Sequence, residues 1–308
     1  MMGRNGRKQS LRALDAAWDG GIRFFDTARS YGYGESEVLL GQFLRGRRDQ
    51  AIVATKFGIL ASPQPVWKKL ARAAARGVLK YAPWMHRTLQ KSAASQFTHH
   101  QFTLPVLQQS LDQSLRALGV DYIDILFLHA APASVLQQED LLEAMQRLVE
   151  SGKIRLAGLS SDPDIVQLAL QQQTPQLRAM QFPCNVFDVS AAKNLAHFTD
   201  GSILLVSNHP YGGAARIRQC RQVIADLTKK ESLEQALREK IQSLDDDLMA
   251  DIVLNTILRD TGIHVVIPAM MNPRHIQANI RAVSDSRFTN AEIRSIRSAL
   301  ADPIFPDL

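Results

Sequence analysis

The sequence predicts an α/β fold, a TIM-type (β/α)₈ barrel lacking its first strand. Three observations predict it. Seven short apolar runs alternate with amphipathic helical patterns along 308 residues, the rhythm of βαβ units. Most of the runs are apolar throughout, as parallel strands covered on both faces are. Asp26, Lys56 and His129 stand at the carboxyl ends of three successive runs. They therefore point to one rim, the face on which barrel enzymes keep their chemistry.

The elements follow in order. A first helix is expected around Gln9–Asp19, and Gly20-Gly21 leads from it into the run Ile22–Ala28. No strand is predicted ahead of that helix, so seven core strands are counted where closure usually takes eight. Ile22–Ala28 and Ile263–Pro268 would then each leave an apolar edge unpaired, an aggregation hazard or a seat for another chain. The favoured expectation is a protein that begins upstream; the other is a degenerate barrel with a regulatory or lost function. The second run is Ala51–Gly58. A long insert, 61–104, follows it and leaves from the catalytic rim. Val66, Leu70, Ala74, Val78 and Tyr81 fall on one helical face, opposite Lys68, Arg72, Arg76 and Lys80. The insert is expected to act as a lid or substrate wall, with binding to a charged surface as a weaker alternative.

Leu107, Leu111, Leu115 and Leu118 repeat at helical spacing up to Gly119, and Leu142, Met145, Leu148 and Val149 do so up to Gly152. The runs Tyr122–His129, Ile154–Ser160, Ala179–Val186 and Ile203–Val206 complete the series before Ile263–Pro268. The connection 212–250 is expected to be mostly helical from Ser232 onward. No linker or repeat interrupts the chain, so one domain over 1–308 is expected. A doubly wound dinucleotide fold would carry G-x-G-x-x-G after its first strand. The nearest match, Gly32-Tyr33-Gly34-Glu35-Ser36-Glu37, lacks the third glycine.

Composition narrows the classes. Hydrophobic residues make up 45% of the chain, enough for a large core. A net charge of +6 favours anionic ligands in general and does not argue for nucleic acid. Cys184 and Cys220 have no metal-ligand spacing and suit a reducing compartment. The opening MMGRNGRKQS has no apolar stretch after its charges, so no secretory signal is expected. No apolar run reaches the roughly 18 residues of a membrane span. A cytoplasmic protein with no metal is expected.

The rim residues suit one chemistry. Reducing a carbonyl needs a hydride for carbon and a proton for oxygen. A free tyrosine, with a pKa of about 10, is a poor donor at neutral pH. A nearby ammonium favours the phenolate and lowers that value, and a buried lysine needs a carboxylate partner. A neutral imidazole can donate a further hydrogen bond to the developing alkoxide. Tyr31, Lys56, Asp26 and His129 supply this set. Singly, each has a plainer reading: a turn-starting Asp26, a snorkelling Lys56, a structural His129.

Asp26-Thr27-Ala28-x-x-Tyr31-Gly32, Ala54-Thr55-Lys56-Phe57-Gly58 and the run Asp121 to His129 together resemble the aldo-keto reductases. So do Gly152-Lys153-Ile154-Arg155, Gly158-Leu159-Ser160, Gln181 with Asn185, and Ile267-Pro268 through Asn279. The resemblance covers nearly the whole chain in order. It implies a barrel enzyme that reduces an aldehyde or ketone, with NADP(H) favoured over NAD(H). It makes Tyr31 the general acid, tuned by Lys56 and Asp26, with His129 polarising the carbonyl. Ser160, Ser161 and Gln181 fall where the family holds the nicotinamide carboxamide. Tyr211 to Gly213 fall in the loop over the pyrophosphate, and Asn272, His275 and Asn279 at the adenosine end.

The pattern is not fully kept. Ser161 replaces an asparagine, and Asn208 stands where a residue stacks on the nicotinamide, a weaker platform than a ring. Ala269-Met270-Met271 replaces the lysine and serine that often grip the 2′-phosphate, and His275 replaces a common arginine. Arg274 is the expected compensating cation, with weaker discrimination against NADH than usual. Asn272 before Pro273 also reads as a helix N-cap. These departures keep a second class open, a cofactor-binding regulatory or accessory protein of the same fold with little turnover.

Overall fold

The computed structural model describes residues 6–61, 97–199, 201–229, 233–242 and 245–301. The chain opens with α1 (Arg7–Asp19), β1 (Phe24–Asp26) and α2 (Glu35–Phe43). Strand β2 (Ile52–Phe57) is followed by two short strands, β3 (Leu60–Ala61) and β4 (Phe97–Thr98), which pair antiparallel. The predicted insert helix over 66–81 lies outside the described residues. Next come α3 (Leu104–Leu118), β5 (Ile123–His129), α4 (Glu139–Glu150), β6 (Ile154–Ser160), α5 (Pro163–Gln171), β7 (Ala179–Pro183), α6 (Val189–Ala196) and β8 (Leu204–Asn208). Helices α7 (Ala214–Leu227), α8 (Gln235–Lys240) and α9 (Asp246–Leu258) precede β9 (Val265–Ile267), α10 (Pro273–Ser284) and α11 (Asn290–Ala301).

Seven strands form one parallel sheet in the order β1-β2-β5-β6-β7-β8-β9. The sheet curls into a nearly closed barrel. Ala54, Ile125, Phe127, Ala179 and Val206 fill its interior, joined by Phe24, Leu156, Leu204, Val265 and Ile267. A larger core lies between the strands' other faces and the helices. The helices obey local rules. α3 has Pro105 in its first turn and ends at Gly119, whose φ of 65° closes it in the left-handed region. α10 starts at Asn272, whose side chain accepts from Arg274 N–H at 3.0 Å.

The expected gap is present. Among the described residues no strand stands between β1 and β9, and both are only three residues long. Phe24, Val265 and Ile267 face the barrel interior yet remain half-buried. The helical layer does close over the gap: Ala13 and Ala17 of α1 pack on Ile276 of α10, with Met270 and Met271 beside them. The connection 212–250 differs from expectation. It is helical from Ala214, because Cys220, Ile224 and Leu227 bury one face of α7 while three arginines share the helix. The arginines masked that stripe in the sequence.

Candidate active site

Side chains alternate along a strand, and the register decides which reach the interior. Asp26 pairs with Ala54, Lys56 with Phe127, His129 with Ser160, Ser160 with Gln181, and Asn208 with Pro183 and Ile267. The last inward residues of β1, β2, β5 and β6 are thus Asp26, Lys56, His129 and Ser160, with Gln181 inward beside them on β7. The sequence motifs separated by more than a hundred residues meet at one rim.

Lys56 Nζ donates to Asp26 Oδ1 at 2.5 Å and to Thr27 O at 3.0 Å. The pair is nearly dry, with side-chain exposures of 1% for Lys56 and 8% for Asp26. Gln181 Nε2 donates to the same Asp26 oxygen at 3.1 Å, and Ser160 Oγ donates to Gln181 Oε1 at 2.7 Å. Asp26 is therefore anchored from both sides. Ser161 Oγ donates to Ala131 O at 2.7 Å. Each serine has spent its hydrogen and keeps lone pairs for an incoming N–H.

Tyr31 is delivered by a tight turn. Residues 31–34 form a tight, kinked turn in which Gly32 (φ 61°), Tyr33 (φ 59°) and Gly34 (φ 88°) are all left-handed. Two glycines carry this at little cost. The Tyr31 ring lies edge-on to His129, centroids 5.9 Å apart at 82°. Lys56 Nζ is 5.2 Å from the Tyr31 centroid.

The electrostatics differ from the expectation in one respect. Burial raises the Tyr31 pKa, and Asp26 adds to this; the opposing charge of Lys56 does not overcome them. The resting phenol therefore keeps its proton at neutral pH. Burial pushes His129 down to about 3, helped by the Lys56 and then the His99 charge. The imidazole is neutral throughout the physiological range. A folding consequence follows. The unfolded chain takes a proton at this histidine below its ordinary 6.5, and the folded chain does not until near 3. Stability contributed by neutral His129 is present above 6.5 and is lost as pH falls toward 3, about 2 kcal/mol by pH 5. His129→Asn should flatten that part of a chemical-denaturation profile between pH 6.5 and 4. Equal losses in wild type and variant over this window would contradict the buried neutral imidazole.

A supporting network was not foreseen. Glu37 is fully buried. Its Oε1 accepts from Thr55 and Ser114 hydroxyls, both at 2.7 Å, and its Oε2 from Arg29 at 2.8 Å. Arg29 also donates to Gln113 at 2.8 Å, and Thr27 Oγ1 bonds Ser36 Oγ at 2.8 Å. Thr27 and Thr55 are the chain neighbours of Asp26 and Lys56, so this network fixes the outer faces of the two strands that carry the ion pair. Its sequence signal was the Ser36-Glu37 pair directly after the Tyr31 turn.

The remaining predicted residues extend round the same rim. Asn208 ends β8, and its buried Oδ1 has no hydrogen-bond partner. Tyr211 OH donates to Asn279 Oδ1 at 2.8 Å, tying the β8 loop to α10, and Asn279 Nδ2 is buried without a partner. Asn272, Arg274 and His275 are exposed at the start of α10. One orphaned acceptor and one orphaned donor, spaced along a polar rim, are what a polar ligand lying across it would satisfy.

A model of the aldo/keto reductase family matches residues 2–301. The chain belongs to that family. Aldo-keto reductase YhdN of Bacillus subtilis is 30% identical over 190 residues, 61% of this chain and 47% of that protein. D-threo-aldose 1-dehydrogenase from a Pseudomonas species is 32% identical over 156 residues, 50% of this chain and 44% of that protein. The chain thus aligns with about half the length of these curated relatives. Among solved structures, an aldo-keto reductase from Klebsiella pneumoniae in complex with NADPH superposes with a TM-score of 0.67 at 22% identity, covering 99% of this chain and 89% of that one. AKR11C1 from Bacillus halodurans, in its holo form, superposes at 0.66 with 20% identity, covering 97% and 89%. The aldo/keto reductase barrel is therefore the fold, with the four motif residues at its rim.

Proposed function

We propose that this aldo/keto reductase reduces an aldehyde or ketone with NADPH, using Tyr31 as the general acid. The observation that carries the reading is the convergence of a protonated phenol, a dry ammonium-carboxylate pair and a neutral imidazole on one rim. When bound, the cofactor supplies the hydride for the carbonyl carbon. Tyr31 gives its proton to the carbonyl oxygen as negative charge develops there. Lys56 stabilises the phenolate left behind, held by Asp26, which Gln181 braces in turn. His129, kept neutral by burial, donates a hydrogen bond to the same oxygen.

Ser160, Ser161 and Gln181 would hold the carboxamide, and Asn208 would contact the nicotinamide ring. The Tyr211 loop would hold the pyrophosphate, and Asn272, Arg274, His275 and Asn279 the adenosine end. The unsatisfied Asn208 Oδ1 and Asn279 Nδ2 support this placement. The NADPH held by the Klebsiella relative supports the choice of cofactor. No described helix is long and apolar enough to cross a membrane. A cytoplasmic location is supported by two free, buried cysteines, whose thiols burial pushes up to about 12.

The test is steady-state oxidation of NADPH against a panel of aldehydes and ketones. Carbonyl-dependent oxidation is the expected result. Tight cofactor binding with no turnover on any carbonyl would favour the cofactor-binding accessory role instead, which Asn208 in place of a stacking ring also suits.

A further inference from the structure

Two cavities flank Pro273 at the start of α10, and their charges are opposite in character. One, about 510 Å³, is lined by Asp245, Asp247, Arg274, Gln277 and Arg281 besides Pro273. Its carboxylates are committed in place: Asp245 accepts from Leu248 N–H at 2.6 Å, and Asp247 accepts from Arg281 at 2.6 and 2.7 Å. Two carboxylates oppose two guanidiniums there, and an added phosphate would meet both signs. The other, about 550 Å³, is lined by Arg7, Lys8 and Arg12 of α1 together with Met271 and Pro273. Among the described residues no acidic side chain lines it.

Packing holds the basic cavity beside the cofactor segment. Small residues let α1 approach α10 closely. Ala13 and Ala17 lie on Ile276, and a Cβ added at Gly20 would fall 1.9 Å from Ile280 Cδ1. The contact fixes the arginines and lysine of α1 next to Met270 and Met271, the stretch that lacks any side-chain donor of its own. A phosphate monoester carries nearly two negative charges at neutral pH. It is drawn to a concave wall of three cations over one of mixed sign.

We propose that Arg7, Lys8 and Arg12 of α1 receive the 2′-phosphate of NADP(H) and set the preference for the phosphorylated cofactor. The proposal rests on the cofactor reading above and relocates the phosphate grip from the β9–α10 segment to the first helix. Arg274, on the mixed-sign side of Pro273, then has little part in the selection.

The experiment is isothermal titration of NADP⁺ and NAD⁺ into the wild-type chain, the triple variant Arg7→Gln/Lys8→Gln/Arg12→Gln and Arg274→Ala. All four positions are exposed, so the variants keep the fold, and an unchanged Kd for NAD⁺ verifies it for the triple variant. The triple variant should bind NADP⁺ roughly tenfold or more weakly, with NAD⁺ affinity within about twofold, whereas Arg274→Ala should weaken both nucleotides to the same extent. An unchanged NADP⁺ affinity in the triple variant overturns the proposal, as does a selective loss confined to Arg274→Ala. Equal weakening of both nucleotides by the triple variant also overturns it. Failure of the wild-type chain to bind either nucleotide is a different result and removes the cofactor reading itself.

Discussion

Tyr31→Phe is expected to lower kcat for carbonyl reduction by about 10²–10⁴-fold, the usual contribution of a positioned general acid. The substitution removes one oxygen and keeps the ring, so the edge-on contact with His129 survives. The phenol acts only as charge builds on the substrate oxygen. Its loss therefore falls on kcat, with cofactor Kd nearly unchanged. Single-turnover kinetics with cofactor titration separates the two. A variant retaining near-wild-type turnover would remove Tyr31 from the mechanism. The raised phenol pKa adds a sign: reduction needs the protonated form, so the phenol should not become limiting through ionisation below about pH 10.

Lys56→Met should be the most costly single change to stability. Lys56 and Asp26 are both withdrawn from water, and removing one partner leaves a buried charge without compensation, a loss of roughly 3–5 kcal/mol. Gln181 alone, at 3.1 Å, cannot replace an ammonium. The double variant Asp26→Leu/Lys56→Met should recover much of that stability, because it deletes both charges, yet remain inactive. Urea denaturation of the two single variants and the double gives the coupling. Additive losses would mean that the pair is not energetically linked in the folded chain.

The fold was legible where the signal was local. Continuous apolar runs such as Tyr122–His129 and Ile154–Ser160 became strands with almost the expected limits. Seven apolar runs could be counted directly, and among the described residues the pairing order leaves β1 and β9 at the two edges. The convergence of Asp26, Tyr31, Lys56 and His129 on one rim was legible because each ends a strand or sits in the turn after one. Helix α7 was not, since its buried stripe of Cys220, Ile224 and Leu227 is interrupted by arginines. Glu37 was not either. Its importance comes from Thr55 and Ser114, which are distant in sequence and reveal themselves only when α2, β2 and α3 meet. The net rise in the Tyr31 pKa was also hidden, because burial depth is a property of the assembled rim and outweighs the single lysine that sequence reasoning could name.

The central claim, that this rim transfers a hydride and a proton to a carbonyl, is tested most directly by isotope transfer. The wild-type chain is incubated with an aldehyde and NADPH deuterated at one face of the nicotinamide C4, and then with the other face labelled. The alcohol is examined by mass spectrometry and NMR. The account predicts deuterium on the carbinol carbon from one labelled form only, and its near-disappearance in Tyr31→Phe under matched turnover time. Bound cofactor with no label in the alcohol from either form would contradict it.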